Sequence, residues 1–119
     1  MSNKAKFGFV LEYVIDIEAA KRFYVEVLGL EVERYSPTFI QFNNFAIASD
    51  ESMSSTRDPE VYWVVEDAEA AFKEFSQKGE ISTPMKQMPF GKVFGIKDPA
   101  GQPQYLIEFA KVRPSAAVK

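Results

Sequence analysis

Val14-Ile15-Asp16-Ile17-Glu18-Ala19-Ala20 returns fifty-one residues later as Val65-Glu66-Asp67-Ala68-Glu69-Ala70-Ala71. In both copies the Asp follows a run rich in β-branched and aromatic residues and precedes a run of helix formers. Each copy therefore marks the passage from a strand to a helix capped by its own carboxylate. The chain reads as an internal duplication, and two half-sheets of that kind can enclose a cavity between them.

Outward from the first copy, residues 7–14 form a strand candidate and Asp16 the cap. Ile17, Ala20, Tyr24, Val27 and Leu28, widened by Phe23, then give an apolar helical stripe that packs, with Gly29 in the left-handed position that ends it. Residues 31–35, 38–42 and 45–48 are short strand candidates, the last two joined at Asn43-Asn44, residues that tolerate positive φ. Outward from the second copy, 61–65 repeats the strand. Ala68, Ala71, Phe72 and Phe75 repeat the stripe as far as Gly79, and 81–88, 92–96 and 104–109 supply three further strands. Asp98-Pro99-Ala100-Gly101 is the turn between the last two. Both halves read βαβββ, and the class is α+β.

A chain of 119 residues is one domain with a core of its own. Module one covers residues 7–48 and module two 60–110. The polar, Ser-rich stretch 49–59 is an exposed connection, and the tail 111–119 has little to bury. Apolar residues make up 46%, without a run long enough to span a membrane. A net charge of -3 argues against a nucleic-acid partner, and a short polar N-terminus with no cysteine points to the cytoplasm. The chain also has no histidine, which removes zinc sites of Cys or His type, Ser-His and Cys-His nucleophiles, and haem held through His.

Val14-x-Asp16 leading into Phe23-Tyr24 and Leu28-Gly29, and Phe90-Gly91 through Asp98-Pro99-x-Gly101-Gln102 into a final strand, resemble the vicinal oxygen chelate superfamily. That superfamily includes glyoxalase I, bleomycin-resistance proteins and extradiol dioxygenases, and the resemblance runs from residue 7 to residue 110. It implies two βαβββ modules whose eight strands form a curved mixed sheet around a ligand cavity, helices on the outer face, as a homodimer. In metal-dependent members the ligands come from the first strand of each module and from the last strand. Position by position these are Phe9, Glu60 and Tyr105 here. Phe offers no donor atom and a phenol is a poor ligand, so no metal and no other cofactor is expected, although Glu60 of two chains or Glu108 could be recruited to an unusual site.

Strand alternation puts Phe9, Leu11, Tyr13, Glu60, Tyr62, Val64, Tyr105, Ile107 and Phe109 on one face with those three positions. A cavity lined by Phe9, Leu11, Tyr13, Tyr62, Tyr105 and Ile107 suits a planar or hydrophobic small molecule carrying a cation or a hydrogen-bond donor. The same side chains could instead simply fill the sheet as core. Glu60 is the catalytic candidate: buried, it is the one credible general base of the cavity; at the strand mouth, a solvated carboxylate. Glu12 falls on the opposite face, at the position of Trp63 in module two, where a base such as Lys21 could pair with it. Residues 84–91, with two Met, two Pro and Phe90, read as an edge strand and turn or as an adaptable lip. The residues leave two functions open: a metal-free binding protein for a small aromatic or hydrophobic molecule, or a lyase, isomerase or dioxygenase-like enzyme using Glu60 or an unusual metal site.

Overall fold

The computed structural model describes residues 4–50, 52–53 and 56–110. Module one consists of β1 (Lys6–Tyr13), α1 (Ile17–Arg22), β2 (Arg34–Ser36), β3 (Phe39–Gln41) and β4 (Phe45–Ala48). Module two consists of β5 (Glu60–Val64), α2 (Ala68–Ser76), β6 (Ile81–Met88), β7 (Gly91–Lys97) and β8 (Pro103–Phe109). The strands form one curled mixed sheet in the order β2-β3-β4-β1-β5-β8-β7-β6. β1 runs parallel to β4 and β5 parallel to β8, while β1 and β5 join the modules antiparallel. At that seam Val10 lies opposite Val61, residues equivalent under the fifty-one-residue offset, so an approximate twofold axis passes between them. Phe9 is then the counterpart of Glu60 and Leu11 of Tyr62. The pairings Leu11 with Ala46 and Tyr62 with Tyr105 make Ala46 the counterpart of Tyr105.

Both duplicated Asp residues cap their helices: Ala19 N donates to Asp16 Oδ1 and Ala70 N to Asp67 Oδ1, each at 3.0 Å. The helices cover the outer face. Val65, Ala68, Ala71, Phe94 and Leu106 pack beneath α2, and Ile40, Phe42 and Ile47 beneath α1, joined by Ile17, Ala20, Tyr24 and Leu30. The inner face holds the third cluster, built on Phe9, Leu11, Phe39, Tyr62, Phe90, Val93, Tyr105 and Ile107. The turns match their residues. Asn43 has φ 137° and Gly29 φ 79°, and Asp98 Oδ1 accepts from Ala100 N and Gln102 N to close the last hairpin.

Four expectations need correction. The first helix is α-helical only to Arg22; Phe23–Val27 is π-helical, with Leu28 N donating to Phe23 O. The inserted residue rotates the succeeding side chains by about 100° around the axis. Phe23, Val27 and Leu28 are therefore exposed instead of extending the packed stripe, and Leu30 returns to the core. The connection between modules is not wholly exposed, because Met53 is buried in the inner cluster. Glu12 does lie on the outer side, but its partner is the Tyr24 hydroxyl at 2.5 Å and not a lysine. Burial and the Glu12 carboxylate push the Tyr24 phenol up to about 12. Glu108 faces outward as well: its Oε1 accepts from Ala68 N at 2.9 Å, at the start of α2, which takes it away from Glu60.

The strand limits shift by a residue or two, except β2, which begins at Arg34 rather than residue 31. β6, with Pro84 inside it, is an edge strand, as a missing ladder donor requires. The tail 111–119, read as having little to bury, lies outside the described residues. Among the described residues no helix is long and apolar enough to cross a membrane.

Candidate functional site

Alternation along β1, β5 and β8 brings Phe9, Leu11, Tyr13, Glu60, Tyr62, Val64, Tyr105, Ile107 and Phe109 to the inner face together, Tyr13, Val64 and Phe109 only partly buried. The face is packed with rings. Phe9 stacks on Tyr62 at 5.0 Å, Tyr62 on Tyr105 at 5.4 Å, and Phe39 on Phe90 at 4.6 Å. Since β3 and the β6–β7 turn belong to opposite ends of the sheet, the Phe39–Phe90 stack also records how far the sheet curls. Phe9, Leu11, Tyr62, Tyr105 and Ile107 have at most 1% of their surface exposed, so they form the bed of the trough.

Glu60 is buried, not solvated, at 3% exposure. Its Oε1 accepts from Tyr13 Oη at 2.7 Å and from Tyr62 Oη at 2.9 Å, which compensates the desolvation of a carboxylate at the start of β5. Burial, followed by the Glu60 carboxylate, raises Tyr13 well above the usual phenol range. Burial, followed by Tyr13 and then Glu60, raises Tyr62 further still. The two phenols are thereby kept neutral and donating. The Arg57 guanidinium lies 5.5 Å from the Tyr13 ring centre, on the segment that leads into β5.

The four quasi-equivalent inner positions Phe9, Ala46, Glu60 and Tyr105 do not make a metal site. Two have no donor atom, the Tyr105 ring is stacked on Tyr62, and Glu60 Oε1 already receives two phenolic protons. Among the described residues no three acidic side chains converge. The donor set does not fit a divalent metal.

Two openings flank the ring bed. A groove of about 570 Å³ runs between β2 and the ends of β3 and β8, lined by Arg34, Ser36, Phe39, Pro89, Phe90 and Phe109 among others. Arg34 lies flat against Phe109, its guanidinium carbon 3.7 Å from the ring centre. Phe109 and Phe39 both touch Phe9, at 6.0 and 5.6 Å, so the groove wall rests on the bed. A second groove of about 410 Å³, at the end of the sheet where β5 begins, is lined by Asp58, Glu60, Asp98, Gln104 and Tyr105 among others. Of the sequence candidates, Glu60 and Tyr105 reach that second groove, and Phe109 the first.

Arg34, Ser36, Phe39 and Phe90 were not among the expected cavity residues, although Phe90 lies in the segment 84–91 read as an edge strand and turn or as an adaptable lip. Parity offered a route to three of them: Phe39 alternates with Gln41 on the inner face, and the tight β2–β3 hairpin pairs Ser36 with Phe39 and Arg34 with Gln41. A cation on the inward parity of a strand is a signal in itself. Phe90, in a turn, carries no such periodic signal.

The architecture has relatives. A NAD-dependent benzaldehyde dehydrogenase structure from Legionella pneumophila is 22% identical, with a TM-score of 0.67 over 87% of this chain and 99% of that one. A glyoxalase/bleomycin resistance protein/dioxygenase superfamily member from Vibrio splendidus 12B01 is 18% identical, with a TM-score of 0.56 over 87% and 97%. The E323L mutant of homoprotocatechuate 2,3-dioxygenase from Brevibacterium fuscum is 18% identical, with a TM-score of 0.56 over 97% of this chain but only 36% of that one. At such identities these likenesses concern the fold alone. No curated protein sequence matches. The match that decides is to a family model spanning residues 6–109, from the first strand to the last. By it the chain belongs to the Glyoxalase/Bleomycin resistance protein/Dioxygenase superfamily.

Proposed function

We propose that this protein binds a small aromatic or hydrophobic molecule without a metal and acts by holding it. The observation that carries the proposal is the 570 Å³ groove walled by Phe39, Phe90 and Phe109, beside a ring bed that includes Phe9 and Tyr105, two of the three positions where the family resemblance implies metal ligands. A concave, mostly apolar site of this size, with several aromatic side chains, is what drug-sized planar ligands use. In this reading Phe9, Leu11, Tyr13, Tyr62, Tyr105 and Ile107 support the groove wall from beneath rather than enclose the ligand. The family name, which includes bleomycin resistance proteins, is compatible with sequestration. The proposal extends to a cytoplasmic homodimer, for which the exposed Phe23, Val27 and Leu28 offer apolar surface. The test is a thermal-shift and NMR titration with planar aromatic compounds. Stabilisation in the wild type that is lost in Phe109→Ala supports the proposal, and the absence of any stabilisation or shift perturbation at the groove overturns it.

A second reading rests on the Glu60 cluster. A buried carboxylate that accepts from two phenols and lines the 410 Å³ groove with Tyr105 has the composition of a general base with adjacent hydrogen-bond donors, as a lyase or isomerase needs. If turnover of a carbonyl or phenolic substrate is found, Glu60→Gln should abolish it while leaving binding in the first groove intact. Undiminished turnover in that variant removes this reading.

A further inference from the structure

The aromatic groove carries a charge of the opposite sign to the one its sequence suggested. Strand alternation puts Arg34 and Ser36 on the inner side of β2, and both line the groove. None of the ion pairs among the described residues includes Arg34. Its guanidinium uses its face against Phe109 and leaves its N–H edge for a partner, the geometry in which arginine binds a carboxylate through two parallel hydrogen bonds. Two residues along, Ser36 Oγ is buried without a hydrogen-bond partner, an arrangement that costs stability until a polar group meets it. Glu33 also borders the groove, but no ion pair ties it to Arg34.

Resting on the proposed binding function, we infer that the groove selects a planar aromatic carboxylate. The carboxylate is held by Arg34 and Ser36, and the ring lies against Phe39 and Phe90. A neutral ring of the same size makes the stacking contacts without the charge-assisted bonds, so the acid should bind roughly tenfold more tightly. A cationic ring would meet the guanidinium directly and bind worst.

The experiment compares naphthoate, naphthol and naphthylmethylammonium by calorimetric titration against the wild-type chain, Arg34→Gln and Arg34→Lys. The expected result is a preference of about tenfold for naphthoate over naphthol in the wild type, absent in Arg34→Gln and partly kept in Arg34→Lys, which retains the charge without the planar fork. Because Arg34 is exposed, both variants should keep the wild-type circular dichroism; should Arg34→Gln fail to fold, the lysine variant and the order of the three probes on the wild type still decide. Equal binding of naphthoate and naphthol, lost in Phe109→Ala, would overturn the carboxylate inference and leave the aromatic site standing. Tightest binding of naphthylmethylammonium would do the same. Binding of none of the three would overturn the inference together with the proposed function.

Discussion

Raising the pH should unfold this protein through Tyr62, and the size of the effect comes from the Glu60 cluster. Tyr62 is fully buried and donates to a buried carboxylate, so its folded-state pKa lies far above the ordinary phenol value. The sign is fixed by which state binds more protons. Below about pH 10 the phenol is protonated in both states and its contribution is constant; above it the unfolded chain releases the proton and the native chain does not. Stability then falls through Tyr62 alone, with a slope that rises to about 1.4 kcal/mol for each pH unit once the pH is well above 10. Tyr13 shifts in the same direction, but it is partly exposed and its contribution is smaller after solvent screening.

Tyr62→Phe should cost roughly 2 kcal/mol at pH 8, because Glu60 loses a donor, and should then lose stability more slowly above pH 10. The gap to wild type should narrow by about 1 kcal/mol between pH 10 and pH 11. Urea melts at pH 8, 10 and 11 measure this, with ultraviolet phenolate absorbance as a parallel readout. Parallel loss of stability in the two proteins above pH 10, or full phenolate absorbance from a still-folded chain, would refute the reasoning.

Two further perturbations test the frame. Phe9→Ala removes a ring that touches Tyr62, Phe39 and Phe109 and has no exposed surface, and should destabilise by about 3–5 kcal/mol in a urea melt; a loss under about 1 kcal/mol would mean the bed repacks freely. Gly91→Ala drives a Cβ into the Glu108 carbonyl oxygen at a φ of 154°, so it should cost at least about 2 kcal/mol and weaken amide protection along β7 and β8 in hydrogen exchange, whereas unchanged protection would contradict the close approach of those strands.

The duplicated Val-x-Asp segments made most of the architecture legible, because a cap, a strand parity and a fixed offset are local signals that survive in the folded chain. The same parity assigned the inner face of β1, β5 and β8. It could not tell that the face is packed with rings rather than open, since that depends on Phe39 and Phe90 arriving from distant parts of the chain. The π-helical turn after Arg22 escaped for a related reason: Phe23, Val27 and Leu28 have the spacing of a buried stripe, and a single inserted residue redirects them without changing their order. Met53 was hidden because an isolated apolar residue in a Ser-rich stretch carries no period. Arg34 was hidden because the apolar pattern of so short a strand does not show which way its charge points.

The twofold seam at Val10 and Val61 leaves the two copies obliged to match only where they meet. Away from it, one ancestral position has become a phenylalanine and its twin a glutamate. Through its ring contact Arg34 reaches Phe109, where β8 finishes, whereas Glu60 begins β5 and is held by Tyr13 and Tyr62. The trough is thus polarised, with Arg34 at one end, Glu60 at the other and rings between. A guest with unlike ends would have one preferred orientation in a frame whose backbone distinguishes neither.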